Sequence, residues 1–206
     1  RNEGEGRRAG PGTVLPVRRG LIVGLLWVVL TGCVGTVTRA EFDQAVQRRG
    51  GGFHQQQVLD VVDGVAARVG TDRFAVTHLT VSPGSDVVTL RVRNPAAPDE
   101  LDDYVFRAGD LLSTEPVRLS ASTDLDAQTF VLADVALDRL DQMVDDALEA
   151  FAVSDTYVTS VQVGLSARPG QESSPTVGVV VSMESPRTAG TATFTPGGEL
   201  VDVRRR

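Results

Sequence analysis

An amphipathic helix followed by a run of alternating strands occurs twice in this chain, and that double pattern limits the fold more than any other feature. In the first run, Val58, Leu59, Val62, Val65, Ala66 and Val69 recur at helical spacing over about 55–69, and Gly70 supplies a stop. Apolar and polar residues then alternate over 74–81, 87–93 and 103–107, the period of half-buried strands. Pro83-Gly84 marks the first turn and 95–98 opens a longer loop. Ala108-Gly109-Asp110 turns into a short fourth strand at Leu111-Leu112. The second run begins with Leu137, Leu140, Met143, Val144, Ala147, Leu148 and Phe151 on one helical face. Strands are expected at 157–163, 177–183 and 191–195, and Pro196-Gly197-Gly198 leads into Glu199-Leu200-Val201.

The two runs overlay in order and in facing. Val76 to Val81 matches Val158 to Val163, and Val88, Leu90 and Val92 match Val179, Val181 and Met183. Phe106 with Gly109-Asp110-Leu111 matches Phe194 with Gly198-Glu199-Leu200. The expectation is an α+β fold of two tandem helix-plus-antiparallel-meander repeats, over 53–120 and 121–206.

Ahead of the repeats, Thr38 and Glu41 fit a capping box that opens a short helix over 39–48. Gly50-Gly51-Gly52 must end it, and a flexible hinge is the expected role. Residues 33–52 thus form a tether and short helix. Further upstream, Arg18-Arg19 precedes an apolar run over 20–30 and then Thr31, Gly32 and Cys33, so 1–32 reads as an upstream segment and an export leader. The apolar run is shorter than the roughly 20 residues that span a bilayer. Leu30-Thr31-Gly32-Cys33 resembles the bacterial lipobox. That resemblance implies acylation of Cys33, cleavage before it, and a mature protein held on the extracytoplasmic side of the cell membrane. Left uncleaved, the same stretch would be a membrane helix over about 20–36 with Cys33 as an apolar side chain.

A helix leading into an antiparallel meander, closed by the aromatic–turn–acidic–Leu pattern of 194–200, resembles the PepSY-like repeat. Tandem copies are also known in the β-lactamase-inhibitor-protein architecture. The resemblance covers about 53–206 and implies binding of a protein or peptidase rather than catalysis.

Charge narrows the partners. Removing the five Arg and two Glu of residues 1–32 leaves 15 basic against 25 acidic residues, a net charge of −10. A body so acidic lacks the basic footprint that nucleic acid requires, so no nucleic-acid partner is expected. Anionic lipid would not draw it electrostatically either. One cysteine rules out an internal disulfide and any multi-cysteine metal site. All 20 basic residues are Arg, with one Ile and two Asn in the chain, a bias of GC-rich, actinobacterial-type codon usage that carries no function.

Catalytic chemistry is hard to assemble from what remains. His54 is expected at a helix start and His78 in a strand, and no Gly-x-Ser-x-Gly elbow is present. No phosphate loop, dinucleotide fingerprint or heme-attachment motif occurs, so no catalytic residues and no cofactor are expected. Carboxylates gather at Asp99, Glu100, Asp102 and Asp103, and on the second helix at Asp138, Asp141, Asp145 and Asp146, without the Asp-x-Asp-x-Asp-Gly spacing of a calcium loop. No metal site is expected. A hydrolase would need a cleft holding His54 or His78 beside a Ser and a carboxylate.

If the helices cover one sheet face, alternate residues build the other. In the first repeat these are His78, Thr80, Thr89, Arg91, Arg93, Val105 and Arg107. In the second they are Ser160, Gln162, Val180, Ser182, Glu184, Thr193 and Thr195. His78, Arg91, Arg93 and Arg107 form a candidate partner-binding face, basic within an acidic body and suited to bidentate pairing with carboxylates. The same arginines could instead pair with the acidic loop at 99–103. The expected function is a noncatalytic, lipid-anchored envelope protein that binds a protein or peptide partner. The alternative is a carrier of a lipid or small apolar ligand, which needs an apolar cavity between sheet and helices.

Overall fold

The computed structural model describes residues 38–168 and 171–206; Cys33 and the leader lie outside the described residues. The class is α+β, and the sheet dominates it. One continuous antiparallel sheet runs in the order β4-β3-β2-β1-β6-β7-β8-β9. The first meander is β1 (Ala75–Ser82), β2 (Val87–Arg93), β3 (Leu101–Arg107) and β4 (Asp110–Pro116). The second is β6 (Tyr157–Arg168), β7 (Gln171–Glu184), β8 (Ala189–Phe194) and β9 (Leu200–Arg205). The two meet where β1 pairs with β6, and the two-residue β5 (Phe130–Val131) pairs with the start of β1.

The two long helices, α2 (Gln55–Val69) and α4 (Leu140–Phe151), lie on one face because their apolar stripes need cover. α2 buries Val58, Val61 and Val65 and ends at Gly70, whose φ of +79° suits glycine at a helix C-cap. α4 buries six apolar residues, from Leu140 to Phe151. A 3-10 turn over Leu137–Arg139 precedes it, so the expected single helix starts with a tighter coil. Against these stripes pack Val76, Leu79, Val88, Leu90, Val92 and Phe106 of the first meander and Val158, Val161, Val163, Val179, Val181 and Phe194 of the second, in one core. α1 (Arg39–Arg48) forms the expected capping box, with Thr38 N donating to Glu41 Oε2 at 2.8 Å. It buries none of its residues.

The glycines after α1 are not a free hinge. Gly50 and Gly51 have φ of +80° and +86°, and a Cβ on Gly50 would stand 2.5 Å from the Val158 carbonyl and 2.8 Å from Pro83. The segment is a turn pressed onto the β1–β6 end of the sheet, where only glycine fits.

Both meanders share details of register. Leu79–Leu90, Val88–Phe106 and Phe106–Leu111 are paired in the first. Val161–Val181, Val179–Phe194 and Phe194–Leu200 are paired in the second. The register slips between Val76 and His78 in one and between Val158 and Ser160 in the other. It slips again just before Phe106 and just before Phe194.

Candidate functional site: a recess on the helix-free face

The face away from the helices follows the alternation read from the sequence. His78 pairs with Arg91, Thr80 with Thr89, and Thr89 with Val105. Gln162 pairs with Val180, and Val180 with Thr193. Cross-strand partners share a face, so these residues form one polar surface.

The surface is interrupted by a recess of about 660 Å³ over β1, β2, β6 and β7. Its origin is a divergence of strands. β1 and β6 pair as far as His78 and Gly164. Beyond that point the start of β1 turns to β5, while β6 continues with β7 alone to Ser166–Thr176 and on to Arg168–Gln171. Gly164 faces Gly178 at this fork. A Cβ on Gly178 would stand 3.0 Å from the Phe194 carbonyl, so bulk there would push β7 off β8.

The floor carries Thr80, Gln162 and Val180, and one side carries Thr77, His78 and Arg91. The roof is the segment 117–128, which crosses the sheet after β4. Val117 N donates to Leu101 O at 2.8 Å, and Arg93 donates to Asp126 at 2.6 Å and to Pro98 O. Asp124 caps the one-turn α3 (Leu125–Gln128) by accepting from Ala127 N at 3.1 Å. Leu101 and Leu125 are buried on this side although they stand outside the main core. Arg118, Ser120, Gln128 and Gln162 line the recess and remain exposed.

The candidate binding residues separate into three settings. His78 and Arg91 sit side by side on the recess wall. Arg93 lies further along β2, tied to the roof, and Arg107 stands exposed at the far end of β3 opposite Val87. The face is also less basic than a count of its arginines implies. Arg91 makes a two-pronged pair with Asp103, Nε to Oδ1 at 2.8 Å and Nη2 to Oδ2 at 2.7 Å. Asp103 belongs to β3, not to an acidic loop, and shares this face because it pairs with Arg91. Nor do Asp141 and Asp145 stand as free carboxylates, since Arg49 bridges both. Arg118, Ser120 and Gln128 were not foreseen as site residues; their segment has neither helical nor strand periodicity to flag it.

His78 is half-buried, and burial together with the nearby Arg91 charge lowers its pKa, against a smaller upward pull from Asp103. Its Nδ1 lies 3.1 Å from the Thr77 hydroxyl. His78, Ser120 and Ser166 do line one cleft, but both Asp103 oxygens are engaged by Arg91, so among the described residues no carboxylate orients the imidazole. His54 is an exposed N-cap on α2 that makes no side-chain capping bond. Because the folded state favours neutral His78, its contribution to stability is complete above the ordinary value of 6.5 and declines as pH falls below it. His78→Gln is therefore expected to narrow the gap in Tm between neutral and mildly acidic buffer, which thermal melts across that range would read.

Among the described residues no helix is long and apolar enough to cross a membrane. No protein-family model and no curated protein matches the chain. Among solved structures it is similar to the crystal structure of a candidate lipoprotein from Clostridium difficile 630, with a TM-score of 0.54 over 72% of this chain and 92% of that one. At 10% identity, that likeness shows a shared fold.

Proposed function

We propose that this chain is a noncatalytic, lipid-anchored protein of the cell envelope, and that the recess on its helix-free face holds a protein or peptide partner. The observation that carries the binding reading is the roofed recess of about 660 Å³, lined by polar and apolar side chains together. It lies within the roughly 300–1,000 Å³ of typical ligand sites. Its hydroxyls, its amides and the exposed Arg118 guanidinium offer donors and acceptors that a polypeptide can use and a hydrocarbon cannot. The anchor reading rests on the lipobox-like Leu30-Thr31-Gly32-Cys33 and is supported by a fold shared with a protein itself described as a candidate lipoprotein. The carrier alternative draws less support: between sheet and helices, fully buried Val65, Val76, Leu79, Leu140 and Val161 occupy the space an apolar ligand would need.

Tandem duplication of a PepSY-like unit is part of the same proposal. Its support is the matching pairs and register slips of the two meanders. Under the sequence overlay, Thr80 and Gln162 are equivalent positions, and they face each other across β1 and β6, where a two-fold axis would pass.

The test is affinity capture by the mature protein from its native envelope, with mass spectrometry of proteins and lipids, repeated with Gln162→Trp. Gln162 is an exposed strand residue, so the indole fills the recess at little cost to folding. A polypeptide partner lost in the variant, with Tm unchanged, is the expected result. Unchanged capture, or stoichiometric lipid in place of protein, would refute the reading.

A further inference from the structure

α1 is an amphipathic helix with its leading apolar residue left uncovered. Its last turn is tied to the body, because Arg49 reaches Asp141 at 3.0 Å and also Asp145 on α4. Among the described residues its first turn makes no hydrogen bond to the body, and Phe42 is 60% exposed. Tyr157, at the start of β6 beneath α1, is 42% exposed. Two exposed aromatics thus stand at this end of the sheet, with the Tyr157 hydroxyl donating to Glu184 at 3.3 Å.

The chain itself says which partner lies within reach. Five residue steps separate Cys33 from Thr38, and a fully extended chain covers at most about 18 Å in five steps. α1 is only about 15 Å long. A body tethered at Cys33 therefore cannot stand clear of the bilayer, and α1 is the first part of it to arrive there. From this we infer that α1 lies on the lipid surface with Phe42 inserted at the headgroup boundary, and that this contact sets the orientation of the whole body. The inference rests on the anchor reading proposed above.

Orientation follows from the sheet. α1 and its glycine turn sit at the Pro83–Val158 end of β1 and β6. The recess begins further along the strands, at Gln162, five residues or about 16 Å beyond Tyr157, and runs on past Gly164. Insertion of Phe42 thus presents the Gly164 end of the recess away from the membrane. The contact is apolar rather than ionic: α1 sets Arg39 and Arg48 against Glu41 and Asp43, so salt should not weaken it.

Trp27, the chain's one tryptophan, lies in the leader, so Phe42→Trp gives the mature lipoprotein a single fluorophore at the proposed contact. The acylated variant is incorporated into phosphatidylcholine vesicles with and without brominated lipid, and flotation reports whether it is anchored. Ala96→Trp, on the exposed loop after β2 at the distal end, is the comparison. The expected result for Phe42→Trp is blue-shifted indole emission with roughly twofold or greater quenching, as for a ring about 5–10 Å into the interface. Emission from the Ala96→Trp protein should stay unquenched. Anchored Phe42→Trp protein with water-exposed, unquenched emission, or equal quenching in the two variants, would overturn the inference and leave the anchor intact. Acylated protein that fails to float would defeat the anchor reading and the inference with it.

Discussion

Gly190→Ala should destabilise the fold by about 3 kcal/mol, near the upper end of what a methyl inserted into a close-packed interior costs. Gly190 lies in β8, paired with Met183 on one side and Arg205 on the other. A Cβ there would overlap both the Arg204 carbonyl oxygen and the Phe151 ring. Neither can yield cheaply. The carbonyl belongs to the neighbouring strand, and Phe151 is fully buried at the end of α4. Arg205 stiffens the same corner, with its guanidinium 5.6 Å over the Phe151 ring and Nη2 donating to Phe151 O at 2.6 Å. Urea unfolding is the measurement, with a lowered midpoint and an unchanged slope expected. Phe151→Leu relieves the ring overlap but not the carbonyl, so the double variant should be less damaging than the sum of the single ones. A Gly190→Ala protein within about 0.5 kcal/mol of the parent would show that this packing is misdescribed.

Cys33→Ser should abolish acylation and with it the lipid's hold on the membrane. If the lipobox-like segment works as its resemblance implies, the serine variant accumulates as an uncleaved precursor or appears in the medium. The magnitude is large because the acyl chains are the proposed hold: one chain binds only marginally, two or more bind stably. The described body adds no spanning helix that could substitute. Detergent-phase partitioning with intact mass is decisive. A serine variant that is cleaved normally and still fractionates with membrane would mean that something other than the lipid holds it.

The parts of this fold legible in the sequence are those with a buried face. Val88, Leu90 and Val92 alternate with Thr89, Arg91 and Arg93, and the structure buries the first set against the helices and turns the second outward. The helix of 55–69 was legible through its 3.6-residue period and its Gly70 stop. Elements without a buried face left no such trace. β4 runs over Asp110–Pro116 where only Leu111-Leu112 was expected, because it is an edge strand with no fully buried residue. β6 and β7 outrun their expected ends because, beyond Gly164 and Gly178, they pair with each other rather than with β1 or β8. α3 and β5 are too short to carry a period.

The site divides in the same way. The outward residues of β1, β2, β6 and β7 could be named from alternation alone. Their charge state could not, because the Arg91–Asp103 pair depends on the β2–β3 register, set across the loop at 94–100. The roof was equally hidden. Its attachment to the sheet is a handful of bonds between residues distant in sequence, such as Arg93 with Asp126.

The central claim, that the recess is where a polypeptide partner sits, is tested most directly by methyl NMR of the mature protein titrated with its captured partner. Leu101, Val117, Leu165 and Val180 line the recess, whereas Leu59 and Val62 lie on α2 across the sheet. Shifts concentrated in the first group, and absent when Gln162→Trp fills the recess, are the predicted result. Shifts confined to α2, with the recess methyls unmoved, would contradict it.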